Sequence, residues 1–130
     1  MNTSFAQSAP VSLQAGDDGY DVLLDAATGP LRDKAGGDVR VEVERLDTLG
    51  RWAFLQGAMH DREGGRARWT GTEYAERAAQ GGMSNVYVAL LHRDSEDAPW
   101  VVLDHAIGPG DVAWLTWPDE HAAPRALFGF

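Results

Sequence analysis

Valines at 39, 41 and 43 alternate with Arg40, Glu42 and Glu44. Successive side chains on a strand point to opposite faces, so this period of two reads as a half-buried strand with one wet side. Asp47-Thr48-Leu49-Gly50 follows as a turn, and Arg51 to Met59 reads as the partner strand. Within that strand Trp52 and Phe54 share one face, and Ala53 and Leu55 share the other. Two β-rich runs joined by so short a connection make a hairpin.

A second pair follows the same logic. Asn85 to Arg93 is nearly continuous in apolar residues, as expected of a central strand covered on both sides, and Trp100 to Ile107 is a fourth strand ended by Gly108-Pro109-Gly110. Ahead of the hairpins, Tyr20, Leu23, Leu24, Ala27 and Leu31 form one apolar stripe of helical period, and Asp17-Asp18 suit its N-terminus. Gly29-Pro30 predicts a kink or break in that helix, and Gly36-Gly37 its end. His60 to Ala67 reads as a loop. Thr72 caps a short helix through Ala79, closed by Gly81-Gly82.

The order is helix, hairpin, short helix, hairpin, tail. Strands joined by short turns with helices gathered to one side predict an α+β domain over residues 17–130, preceded by a flexible lead-in over residues 1–16. The first helix is expected to lie across one face of a four-stranded antiparallel sheet. That arrangement resembles cystatin-like and nuclear-transport-factor-like domains. Leu23, Leu24, Leu31, Val41, Val43, Phe54, Val88, Leu90, Val101 and Leu103 are the expected core. The other face carries bulk as well (Trp52, Tyr87, Trp100 or their neighbours), to be covered by the tail or by a partner.

Composition narrows the function. The chain has 130 residues, enough for one core, and 11 basic against 20 acidic residues, a net charge of −9. So acidic a chain is repelled by phosphate backbones, which argues against nucleic acid and anionic membrane as partners. No apolar run approaches the ~20 residues of a membrane-spanning helix, so no membrane insertion is expected. With no cysteine, disulfides, thiolate catalysis and Cys-ligated metals are excluded.

Three groups of side chains are candidates for function. Asp104-His105 with Asp111 six residues on could set up acid–base chemistry, with Tyr74 as a further member. Asp104 and His105 are adjacent on a strand and point apart, so Asp111 would have to fold back across Gly108-Pro109-Gly110. No nucleophile stands in an activating motif. For metals, His60, His92, His105 and His121 lack H-x₃-H spacing, and Asp17, Asp18, Asp21 and Asp25 lack a calcium-loop pattern, so no metal and no cofactor are expected. The glycine pairs match no phosphate-binding motif. Five tryptophans are the most unusual count. Trp114 and Trp117, rimmed by Asp111, Asp119 and Glu120, would either grip a cationic partner or pin the tail to the sheet.

The segment His105-Ala106-Ile107-Gly108-Pro109-x-Asp111-Val112-Ala113-Trp114, followed by Trp117-Pro118 and Ala123-Pro124-Arg125-Ala126-Leu127-Phe128, resembles the ending of a group of uncharacterised exported proteobacterial proteins. Gly50-Arg51-Trp52-Ala53-Phe54 and Trp69-Thr70-x-Thr72-x-Tyr74 look similar too, so the resemblance spans roughly residues 20–128. It implies a small periplasmic or secreted α+β domain and carries no assigned activity. Where that group has Thr or Ser, this chain has Gly110, which loosens the turn. Ser4-Phe5-Ala6 before Gln7 has the small residues of a signal-peptidase site but lacks the basic start and apolar stretch of a signal peptide, so the segment reads either as the mature end of an exported protein or as a short disordered tail. The expected function is a non-enzymatic, inhibitor- or immunity-like module that binds a basic protein. The alternatives are a small-molecule pocket using His105 and Asp111, and a structural homodimer packed through the sheet face.

Overall fold

The stripe from Tyr20 to Leu31 forms one helix, α1 (Tyr20–Ala35), in the computed structural model, which describes residues 9–35, 39–61, 63–65, 67, 69, 74–81 and 83–130. The expected break at Gly29-Pro30 does not occur, because Pro30 lies inside the helix. Proline removes a ladder donor and crowds the carbonyl four residues back. Side chains supply bonds in the adjoining turns. Thr28 Oγ1 donates to the Leu24 carbonyl at 2.8 Å, and Arg32 Nη2 donates to the Asp25 carbonyl at 3.1 Å. Leu31, beyond the proline, is buried, which favours continuing the helix.

Five strands, all antiparallel, form a sheet in chain order: β1 (Val11–Ser12), β2 (Arg40–Leu49), β3 (Trp52–His60), β4 (Val86–His92) and β5 (Val101–Ile107). The expected count of four omitted β1, which lies inside the segment read as a lead-in. Two residues are too few to show an alternation. They are held instead by Ser12 Oγ donating to Asp47 Oδ1 at 2.6 Å and by the Leu13 N–H donating to the Leu46 carbonyl at 2.9 Å. Asp47 is therefore a buried strand residue and not part of the turn. The β2–β3 turn is only Gly50-Arg51, with Leu49 opposite Trp52 and Gly50 at φ 62°, a conformation glycine adopts without steric cost.

Two bulges reset the alternation. In β2 the register shifts between Val43 and Arg45. Val41 and Val43 face α1; the extra residue then sends Arg45 to the opposite side and Leu46 into the core under α1. In β5 the shift leaves Leu103 between Asp104 and Val102, which oppose Leu90 and Leu91.

The sheet consequently has two cores. Under α1 lie Leu23, Ala27 and Leu31 with Leu46, Leu55, Met59, Tyr87, Ala89, Leu91 and Ile107. On the other face Phe54, Val88 and Leu90 pack against the tail: a 3₁₀ turn (Ala113–Thr116), a short helix after it (Trp117–His121) and a second 3₁₀ turn (Arg125–Phe128). Three expectations for the core are corrected. Phe54, Val88 and Leu90 belong to the tail side. Leu24, Val41 and Val43 are only partly buried. Val101 and Leu103, on an edge strand with a bulge, are 54% and 43% exposed. The tail therefore covers Phe54, Val88 and Leu90 on the face opposite α1.

Between the hairpins, α2 covers Ala75–Ala79 only, with Tyr74 at its N-cap and no side-chain cap bond. Ser4-Phe5-Ala6, Gly36-Gly37, Thr72 and Gly82, on which the cleavage-site, helix-end and capping expectations rest, lie outside the described residues.

Tyr87 joins the layers. It is wholly buried on β4, and its hydroxyl donates to the Ala27 carbonyl at 2.6 Å, in the turn that Pro30 interrupts. Burial pushes its ionisation well above the usual phenol range, so it acts as a donor at all ordinary pH. Tyr87→Phe is expected to cost about 1–2 kcal/mol in urea unfolding, because it deletes a buried bond at almost constant volume. A loss near zero would mean that the helix carbonyl is satisfied without it.

Candidate functional site

Strand alternation separates Asp104 from His105. The Asp104 side chain sits on the tail side, where Oδ2 lies 2.9 Å from His121 Nε2, and its Oδ1 accepts the His105 backbone N–H at 2.9 Å. The His105 ring is on the other side of the sheet, 6.5 Å centroid to centroid from Tyr87. Burial lowers the His105 pKa; the nearby Asp104 charge opposes this, and Lys34 adds to it. Its folded-state pKa therefore lies below the unfolded value of about 6.5, and protonation favours the unfolded chain. The stability linked to neutral His105 is present above about pH 6.5 and is lost as pH falls through and below it. His105→Asn should flatten the dependence of the urea midpoint on pH between about 7 and 5. An unchanged slope would refute that role.

The three acid–base candidates are not brought together. Asp111 is exposed beyond Gly108-Pro109-Gly110, and no hydrogen bond or ion pair among the described residues joins it to His105. Tyr74 packs edge-on against Trp69, with centroids 5.4 Å apart. The pair that does assemble, Asp104 with His121, was not legible in the sequence. Its members are 17 residues apart and meet only because the tail folds back over β5. A carboxylate on the tail side of a strand was its one sequence signal. No hydroxyl bonds to either side chain among the described residues, so the pair ties the tail to the sheet and holds no hydrogen-bonded nucleophile.

The tryptophan candidates divide in the same way. Trp114 and Trp117 are buried, 6.2 and 6.3 Å from the Phe54 ring centroid. Asp111, Asp119 and Glu120 remain exposed, with Glu120 accepting the Thr116 hydroxyl at 2.7 Å. The apolar groups that do face outward in this stretch are Val112 and Leu115.

Among the acidic residues near α1, Asp17 accepts the Gln14 N–H at 2.7 Å and Asp25 faces Arg32 at 3.4 Å. His60 lies 3.8 Å from Glu42. Among the described residues no three His, Asp or Glu side chains are grouped to hold a metal ion. No helix there is long and apolar enough to cross a membrane.

Two adjoining clefts of about 500 and 450 Å³ share Met83, Ser84 and Asn85; the larger is otherwise walled by Ala67, Trp69, Gly81 and the alanines of α2. Smaller clefts of about 260 and 290 Å³ open beside α1 and β1. None of the four is lined by His105, Asp111 or Tyr74. No protein-family model, no curated protein and no solved structure matches the chain.

Proposed function

We propose that the chain is a non-enzymatic, inhibitor- or immunity-like module that works in the periplasm or after secretion and binds a basic protein. One observation carries this: a net charge of −9 displayed almost entirely at the surface, since Asp47 alone among the described acidic residues is buried. A field of one sign attracts a basic partner over a distance and raises its on-rate more than its affinity. The separation of His105, Asp111 and Tyr74 supports a binding role over an acid–base one. Export rests on the resemblance of the carboxyl segment to exported proteins. One long helix laid on an antiparallel meander supports a cystatin-like or nuclear-transport-factor-like assignment.

The test is retention of proteins from a bacterial envelope extract on the immobilised chain. Basic proteins should be enriched at about 0.05 M salt and released near 1 M, where the screening length falls to about 3 Å. If no basic protein is retained at low salt, the proposal fails.

A further inference from the structure

We propose that the basic partner docks on the free edge of β5, adding an extended segment of its own as a sixth strand; this rests on the basic-partner function above. The two edges of the sheet differ. On the β1 side, β2 continues past the two-residue β1 with Arg40, Glu42 and Glu44 exposed and a bulge at Glu44, devices that discourage strand pairing. On the other side, β5 (VVLDHAI) pairs with β4 alone among the described residues, contains no Lys or Pro, and exposes Val101 and Leu103. Its own bulge falls at Leu103, and Asp104 covers one amide, that of His105. The remaining outward backbone groups and the two apolar side chains form a template of the kind that strand addition uses.

Charge selects the occupant. Asp94, Glu96 and Asp97 are exposed where the chain enters β5, and Asp111 is exposed just after it. The nearby cations are Arg93, whose guanidinium lies 4.3 Å over Trp100, Lys34 on α1, and Arg77, which donates to the Gly108 carbonyl at 2.9 Å just past β5. The excess of acid thus lies where the chain enters β5, a strand of 7 residues that spans about 23 Å at ~3.3 Å per residue. The matching segment has β-branched residues in the middle and Lys or Arg at the end that lies beside Asp94, Glu96 and Asp97. A second copy of this chain is the wrong occupant. Its β5 carries no Lys or Arg, and antiparallel pairing would set Asp94, Glu96 and Asp97 of one copy beside an end of the other where Asp111 offsets Arg77.

The probe is a synthetic peptide of alternating Val and Thr with a pair of lysines at each end, titrated into the full chain and followed by backbone amide NMR. Shifts and slowed amide exchange should centre on residues 101–107. A peptide with glutamates in place of lysines, and one N-methylated at alternate backbone positions, should each bind at least about tenfold more weakly. Leu103→Pro should lose the peptide, and Val11→Lys, on the opposite edge, should keep it. If Leu103→Pro does not fold, Leu103→Lys serves in its place. Shifts centred on α1 or β2, undiminished binding of the N-methylated peptide, or a dimer broken by Leu103→Lys would each overturn edge docking. A basic envelope protein retained equally by wild type and Leu103→Lys would overturn edge docking while leaving the basic-partner function standing. Failure of both the lysine peptide and every basic envelope protein to bind would overturn both.

Discussion

Replacing Phe54 with alanine is expected to lower the unfolding free energy by about 3–5 kcal/mol, a large part of the ~5–15 kcal/mol of an ordinary domain. Phe54 is fully buried, and its ring holds the tail from several sides. Phe128 lies 4.8 Å from it between centroids, Trp114 and Trp117 flank it, and the Arg45 guanidinium sits 4.8 Å over it. Removing the ring leaves a void that neither the strand nor the short helices can collapse to fill. Urea unfolding gives the magnitude. Tryptophan emission adds a second reading, because Trp114 and Trp117 lose their packed neighbour and their fluorescence should shift to the red. Val101→Ala, on the exposed strand, should cost no more than about 0.5 kcal/mol. A Phe54→Ala loss below about 1 kcal/mol would mean that the tail is not packed on this face.

Gly57→Ala should be nearly as severe, at about 3 kcal/mol, from a single added methyl. Gly57 lies opposite Val43, next to the β2 bulge. A Cβ there would stand 2.5 Å from Val41 Cγ1 and 2.7 Å from the Glu42 carbonyl oxygen. The valine can turn aside. The carbonyl can retreat only by opening the β2–β3 ladder. Adding Val41→Ala should therefore rescue Gly57→Ala only in part, and a double-variant cycle measured by urea unfolding separates the two contacts. Full rescue would place the whole clash on the valine.

These two residues also mark where the sequence was and was not readable. The alternation in β2 and β3 and the stripe from Tyr20 to Leu31 predicted a helix against an antiparallel sheet, and it also put Trp52 and Phe54 on one face. Bulk on the second face already pointed to a cover there, by the tail or by a partner; what the alternation did not reveal is that Phe54, Val88 and Leu90 belong to that face, and Tyr87 and Trp100 to the one under α1. Phe54, Val88 and Leu90 look the same to hydropathy whether a helix or a tail covers them. The bulges were illegible for a related reason. An extra residue at Glu44 or Leu103 shifts the phase of everything after it, and nothing in the residue types announces the shift. Continuity through Pro30 goes with the burial of Leu31 against the sheet, a tertiary outcome. At the candidate site, adjacency on a strand correctly separated Asp104 from His105, but the partner of Asp104 came from a segment whose path only packing decides.

Each strand pairs with its neighbour in the chain, so the sheet can grow in step with synthesis. The layer over its second face cannot, because residues 113–128 leave the ribosome after every strand has emerged. Until then Phe54, Val88 and Leu90 have no cover from the chain that follows. A chain cut short between Ile107 and Trp114 would therefore present a finished side to water and an adhesive one beside it. Chaperone capture and aggregation are the expected fates of such a fragment.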